Sequence, residues 1–108
     1  MSKQRGVGGV EVSFEYRRHV GPRFIHGGVT LQFDGHLPYR FVSTAKWPGS
    51  DSYEPAIRET IEEVLRERQG NLGTTQVTLK HISWDEMNSC EVGFRRATLV
   101  AARAAFEI

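Results

Sequence analysis

The residues with the most evident chemical capacity are basic side chains in the first third of the chain. No acidic residue occurs from Tyr16 to Phe33. RNA phosphates attract a basic stretch without acids, and each contact adds salt-sensitive affinity. Phe24 could also stack on an unpaired base. The sequence therefore predicts RNA contact here, with plain solvation of the side chains as the alternative. The basic residues concerned are Arg17, Arg18, His19, Arg23 and His26.

Patterns for catalysis and metal binding are missing from the sequence. The four histidines are scattered without Cys-x-x-Cys or His-x-x-x-His spacing, so we predict no metal site. The glycine-rich segment Arg5–Gly9 lacks the Lys-Ser/Thr pair of a phosphate-binding loop. With no serine-based triad, carboxylate pair or cofactor motif, we predict a protein that is not an enzyme and binds no cofactor or nucleotide. A small enzyme built around Cys90, in the first turn of a predicted helix, is the weaker alternative.

Alternating apolar and polar residues predict the strands that would position the basic stretch. Val10, Val12, Phe14 and Tyr16 alternate with polar residues, which is typical of a strand with one buried face. Glycine and proline then punctuate the stretch His19–Gly28, which predicts a loop. The predicted elements are strands over residues 10–18, 29–33 and 39–46, a helix over 52–68, a strand beginning near 76, and a helix from about 89 onward.

This order predicts an α+β fold, in which a four-stranded, mostly antiparallel sheet carries two helices on one face in the order β-β-β-α-β-α. The 108 residues suit one domain over 10–108, preceded by a flexible N-terminal segment over 1–9. One cysteine excludes an internal disulfide, and no apolar run approaches the roughly 18 residues of a membrane helix. We therefore expect a cytoplasmic protein with no membrane partner. Because the net charge is only +1, RNA affinity must come from a local patch.

Two runs near the end of the chain are Val77-Thr78-Leu79 and Phe94-Arg95-Arg96-Ala97. They resemble the last strand and the final helix of domain IV of elongation factor G. Between them, Asn88-Ser89-Cys90-Glu91 resembles the end of its tip loop and also has the spacing of a capping box. The resemblance extends over most of the chain, from about Val10 to Ala105.

The resemblance implies a split β-α-β fold, shared with the second domain of a small-subunit ribosomal protein. It further implies a non-catalytic, translation-related module that binds the ribosome or structured RNA through two tip loops. Members of the family carry this domain inside a large GTPase, where it mimics a transfer RNA anticodon arm. Since no GTPase motif is present, we expect a free-standing relative.

The two matching loops are His19–Gly28 and Ile82–Asn88, which adds Trp84 and Asn88 to the predicted RNA-binding residues. Asp85 stands where the family has a tip histidine, and Ile25 stands where it has a glutamine. These departures argue against a translocase-like role, and they leave ribosome or RNA contact as the general expectation.

The last helix supports a hypothesis of a different class. Val92, Leu99 and Phe106 lie among arginines on the side opposite its small residues. Either the first helix covers this side, or it is a surface for a partner. A protein–protein interaction domain, with a second copy of the chain among the partners it could bind, is therefore the alternative function.

Overall fold

The structure is a computed structural model, and it describes residues 2–6, 9–35, 38–48 and 52–106. Five strands form one sheet in the order β1-β2-β3-β5-β4. Neighbouring strands are antiparallel, except that β4 and β5 are parallel. The predicted α+β class and the predicted order from the second strand onward are confirmed. The elements are β1 (Ser2–Gly6), β2 (Gly9–Val20), β3 (Arg23–Gly35), β4 (Arg40–Ser43), α1 (Glu54–Gln69), β5 (Thr75–Ser83) and α2 (Glu91–Ala105).

The sheet has one strand more than the sequence predicts. β1 pairs with the start of β2, from Gly6 opposite Gly9 to Ser2 opposite Ser13. This segment lies outside the domain predicted from the sequence, because its glycines and polar residues show no apolar alternation. Backbone pairing with a neighbouring strand does not require such alternation, so the segment can join a sheet edge.

The predicted loop His19–Gly28 is wrong, because β2 and β3 continue through it as a long hairpin. The register runs without a break from Gly9 opposite Asp34 to Val20 opposite Arg23, and it leaves a turn of two residues. Gly21 has a φ of 62°, a conformation that glycine adopts without strain. Glycine and proline suggested a loop, but cross-strand pairing extends the strands to this turn.

The hydrophobic core lies between the sheet and both helices, which pack on the same face. Small residues of α2 allow it to approach the sheet closely, and the buried stripe of α1 completes the core. Among the described residues, neither helix is long and apolar enough to span a membrane. The core residues include Val12, Leu31, Phe33, Ile57, Ile61, Leu65, Val77, Leu79, Phe94, Ala97 and Ala101.

The start of α2 differs from the predicted capping box. The helix begins at Glu91, and its N-cap Cys90 makes no side-chain capping hydrogen bond. The side chain of Asn88 instead donates to Asp85, and Glu91 pairs with Arg95 one turn along the helix. Asn88 and Glu91 have the spacing of a capping box, but Asn88 lies two residues before the N-cap. Its side chain stabilises the turn of the preceding loop instead.

Candidate nucleic-acid interface

The end of the β2–β3 hairpin, residues 17–24, projects from the body of the domain. We call this segment the hairpin tip. All residues from Arg17 to Arg23 are exposed, on both faces of the two-stranded ribbon. The molecule is correspondingly elongated, with extents of 42 × 27 × 23 Å. The tip is therefore accessible to a large partner such as RNA.

The arginines of the hairpin tip differ in whether their charge is free to bind a phosphate group. Nε of Arg17 lies 3.1 Å from a carboxylate oxygen of Glu15, so part of its charge is already neutralised. Neither Arg18 nor Arg23 is in any ion pair formed within the described part of the chain. Arg18 and Arg23 are therefore the tip residues best able to bind phosphate.

Two rings of the tip pack against each other. The centroids of His19 and Phe24 are 4.8 Å apart in an edge-to-face arrangement. His19 is exposed and Phe24 is half-buried. Part of the Phe24 surface therefore remains exposed to solvent, as the predicted stacking on an unpaired base requires.

The loop after β5 runs beside this hairpin, so the structure brings the two predicted loops to the same end of the sheet. The backbone N–H of His26 donates to the carbonyl oxygen of Asn88 at 3.1 Å. The N–H of Cys90 donates in turn to the carbonyl oxygen of His26 at 3.2 Å. This backbone pairing fixes the loop Trp84–Cys90 against β3.

The charge of this second loop opposes phosphate binding. The carboxylate of Asp85 accepts hydrogen bonds from the Asn88 side chain at 3.1 Å and from the Met87 backbone at 3.0 Å. These bonds lower the pKa of Asp85, so it stays ionised. Asp85 also helps to raise the pKa of Arg17, after the larger effect of Glu15. Asn88 is thus committed within the loop, and any phosphate would bind away from it.

The buried His26 lies at the centre of a hydrogen-bond chain that the sequence did not indicate. Its Nε2 donates to the Glu15 carboxylate at 2.7 Å, and its Nδ1 lies 2.8 Å from the Ser89 hydroxyl. Hydrogen bonds from Arg17, Ser83 and His26 lower the pKa of Glu15 to about 2. Because the His26 side chain is only 1% exposed, we do not include it in the RNA surface.

Glu15, His26 and Ser89 form a carboxylate–imidazole–hydroxyl chain, which is the connectivity of a serine-hydrolase triad. The half-buried Ser89 hydroxyl also accepts a hydrogen bond from the Asp85 backbone N–H at 2.7 Å. Its contacts with His26 and Asp85 therefore hold the loop in place. The residues are 11 and 63 positions apart in sequence, so no local spacing could have indicated them.

Trp84 is half-buried and packs in an aromatic cluster. Its ring centroid is 6.0 Å from Trp47, 6.0 Å from Tyr53 and 5.8 Å from Phe94. Trp47 is further held by a hydrogen bond from its indole N–H to Glu54 at 2.7 Å. The cluster attaches the second loop to the core, so we leave Trp84 out of the RNA surface.

The three predicted interface residues on α2 and at its C-cap differ in exposure. Phe106 is half-buried, with its ring 5.9 Å from that of Phe33 in the core. Leu99 is half-buried and faces a groove toward β2. Val92 is 47% exposed.

α1 covers the part of this side of α2 that carries Arg95 and Arg103, as one of the two interpretations of the sequence anticipated. Arg95 pairs with Glu59 of α1 at 3.0 Å, and Arg103 pairs with Glu67 at 2.9 Å. These pairs lie one above the other along the helix–helix contact. Among the described residues, no three His, Cys, Asp or Glu side chains are grouped to hold a metal ion.

Comparison with known proteins supports the fold and gives no function. No protein-family model matches the chain, and no curated protein matches it. Solved structures do match. One of them, ttk003000868 from Thermus thermophilus, has a TM-score of 0.76 and 20% sequence identity over 87% of this chain. The match spans 15% of that protein, so the fold described here recurs as a small part of a much longer chain.

Proposed function

We propose that this chain is a non-catalytic, cytoplasmic module that binds the ribosome or structured RNA through its hairpin tip. The observation that carries the proposal is a projecting ribbon on which Arg18 and Arg23 are exposed without acidic partners among the described residues. Guanidinium groups bind phosphate with planar, bidentate hydrogen bonds, which favours such a role. The resemblance to domain IV of elongation factor G points to the same kind of partner.

The two loops have different roles in this proposal. The hairpin tip makes the contacts, with Arg18 and Arg23 on phosphates and His19 and Phe24 near bases. The loop Trp84–Cys90 supports the hairpin from β3 and carries Asp85, which disfavours phosphate on that side. The bound RNA would therefore lie along the tip, away from this loop.

Co-sedimentation with small ribosomal subunits over a salt series tests the proposal. We expect saturable binding that weakens as salt rises, because bound phosphates release counterions. The variant Arg18→Ala/Arg23→Ala should bind at least about tenfold more weakly at low salt and show a shallower salt dependence. A matched control is Arg40→Ala/Arg58→Ala, which removes two exposed arginines of β4 and α1 that form no ion pair within the described residues.

Two results would contradict the proposal. Equal loss of binding in both double variants would indicate attraction to general positive charge, not to the tip. Binding that is absent at low salt, for a chain shown to be folded by circular dichroism, would remove the ribosome as the partner.

A further inference from the structure

The outer edge of β2 is covered over only part of its length. β1 pairs with residues Gly9–Ser13. Beyond them, no strand in the described part of the chain pairs with Glu15–Val20 on the side away from β3. The N–H and C=O groups that point outward from such an edge can pair with another extended chain. We call the segment Glu15–Val20 the open edge.

A groove of about 450 Å³ lies between the open edge and α2. Two of its apolar side chains are well exposed, Val20 at 50% and Val100 at 37%. Arg18 and Arg96 add positive charge, and neither is in an ion pair with any described residue. The groove is lined by Tyr16, Arg18, His19, Val20, Arg96, Leu99 and Val100.

We propose that the open edge and this groove dock an extended acidic segment of a partner protein, which adds as a strand in line with β1. Tyr16, Arg18 and Val20 alternate along β2 and therefore share its helix-side face. Alternate side chains of an added strand would enter the groove from the same side. Apolar side chains would meet Val20, Leu99 and Val100, and carboxylates would meet the arginines.

Charge identifies the occupant as a partner and not a second copy of this chain. If the open edges of two copies paired antiparallel about their centre, Arg17 of each copy would lie opposite Arg18 of the other. Like charges directly opposite each other destabilise a sheet. The edge carries one acid, Glu15, which Arg17 and His26 already occupy. An acidic strand would instead meet Arg18 and Arg96, which line the groove and form no ion pair within the described residues.

Two features favour a protein strand over RNA at this place. The exposed valines make no favourable contact with a phosphate group, whereas apolar side chains of a protein strand can bury their surface. Backbone amides and carbonyls in alternation match another strand and not a sugar–phosphate chain.

The opposite edge of the sheet is a poorer candidate. β4 has only the four residues Arg40–Ser43, and three of them are half-buried. It therefore offers a shorter and less accessible row of backbone groups than the open edge.

The docking proposal does not depend on the proposed RNA function. Arg23 lies across the turn from Val20 and is not among the groove residues. Removal of the Arg23 side chain should therefore weaken RNA binding and leave strand docking unchanged, so either proposal can fail alone.

A labelled peptide of about eight residues is the probe, since this length covers the open edge. Val and Glu occupy every second position in turn, with Thr between them, so that apolar and acidic side chains share the face that enters the groove. We expect saturable binding by fluorescence anisotropy, with the largest amide shifts in nuclear magnetic resonance spectra at Glu15–Val20. A Val–Lys peptide of the same length should bind at least about tenfold more weakly, because it meets like charge.

Backbone N-methylation tests strand addition directly. Two versions of the peptide carry N-methyl groups on alternate residues, one on the odd and one on the even positions. Only one of these sets of N–H groups faces β2 in an added strand. One version should lose at least about tenfold in affinity, and the other should stay within about twofold.

A pair of helix variants tests the groove. Arg96→Glu should weaken the Val–Glu peptide about tenfold, whereas Arg58→Glu, an equivalent change on exposed α1 surface, should not. Equal effects of the two N-methylated peptides, or the largest shifts at β4, would overturn the proposal. So would a single-stranded oligouridine that shifts the open edge when the peptide does not, since the edge would then bind RNA.

Discussion

Gly27 and Gly93 set the distance between β3 and α2, because neither has a side chain to separate the two backbones. A Cβ atom on Gly27 would lie 2.5 Å from the carbonyl carbon of Gly93, and a Cβ on Gly93 would overlap the carbonyl of His26. Both neighbours are backbone atoms, which cannot rotate away as a side chain can. The contact positions the start of α2 beside the hairpin that carries the proposed site.

At the scale of single residues, Gly93→Ala should destabilise the fold by about 3 kcal/mol, because the methyl group forces α2 and β3 apart. Urea unfolding followed by circular dichroism measures the change. Gly35→Ala is the control, since a Cβ there meets nothing within 4 Å and should change stability by less than about 0.5 kcal/mol. Equal stability of the two variants would mean that the close approach is not required.

At the scale of elements, the aromatic cluster joins four segments of the chain around the start of α2. Phe94 is fully buried, with ring centroids 5.1 Å from Trp47 and 5.6 Å from Tyr53. Trp84 stacks on the same ring and thereby attaches the loop after β5. The loop that supports the hairpin is thus held by packing as well as by hydrogen bonds.

Phe94→Ala should lower the free energy of unfolding by about 4 kcal/mol, because it leaves a cavity in this cluster. Phe94→Leu retains most of the volume and should cost about 1.5 kcal/mol. Intrinsic tryptophan fluorescence should shift to longer wavelength in the alanine variant as Trp47 and Trp84 gain contact with water. Loss of stability without a fluorescence change would show that the rings do not share one cluster.

At the scale of the whole molecule, the Glu15 carboxylate links stability to pH. Its pKa falls from the ordinary 4.5 to about 2 in the folded chain, chiefly through hydrogen bonds from Arg17, Ser83 and His26. Because folding lowers this pKa, the unfolded chain binds the proton more readily. The stability that Glu15 contributes is present above pH 4.5 and is lost as the pH falls toward about 2.

Glu15→Gln should therefore be less stable than the parent chain near neutral pH, and the difference should shrink as the pH falls through this window. Urea unfolding at a series of pH values measures it. Glu63→Gln is the control, since Glu63 is exposed on α1 and is in no ion pair among the described residues. A difference between Glu15→Gln and the parent that stays constant from about pH 6 to about pH 2 would exclude Glu15 as the titrating group.

The sequence by itself determined the α+β class, the order from β2 to α2, and the faces that enter the core. These features follow from apolar periodicity and turn residues, which act between near neighbours in the chain. It also located the basic stretch, since charge along a segment can be read directly. The resemblance to an elongation factor domain rested on the same local runs.

Only the tertiary structure decided which basic residues are exposed and free to bind a partner. Strand pairing brought Glu15 against His26, and the fold brought Ser89 to the same ring from 63 positions away. It also turned a predicted loop into a projecting hairpin and left the open edge beyond β1. Such outcomes depend on contacts between distant residues, and no local pattern encodes them because each residue's partner is fixed by the register of the whole sheet.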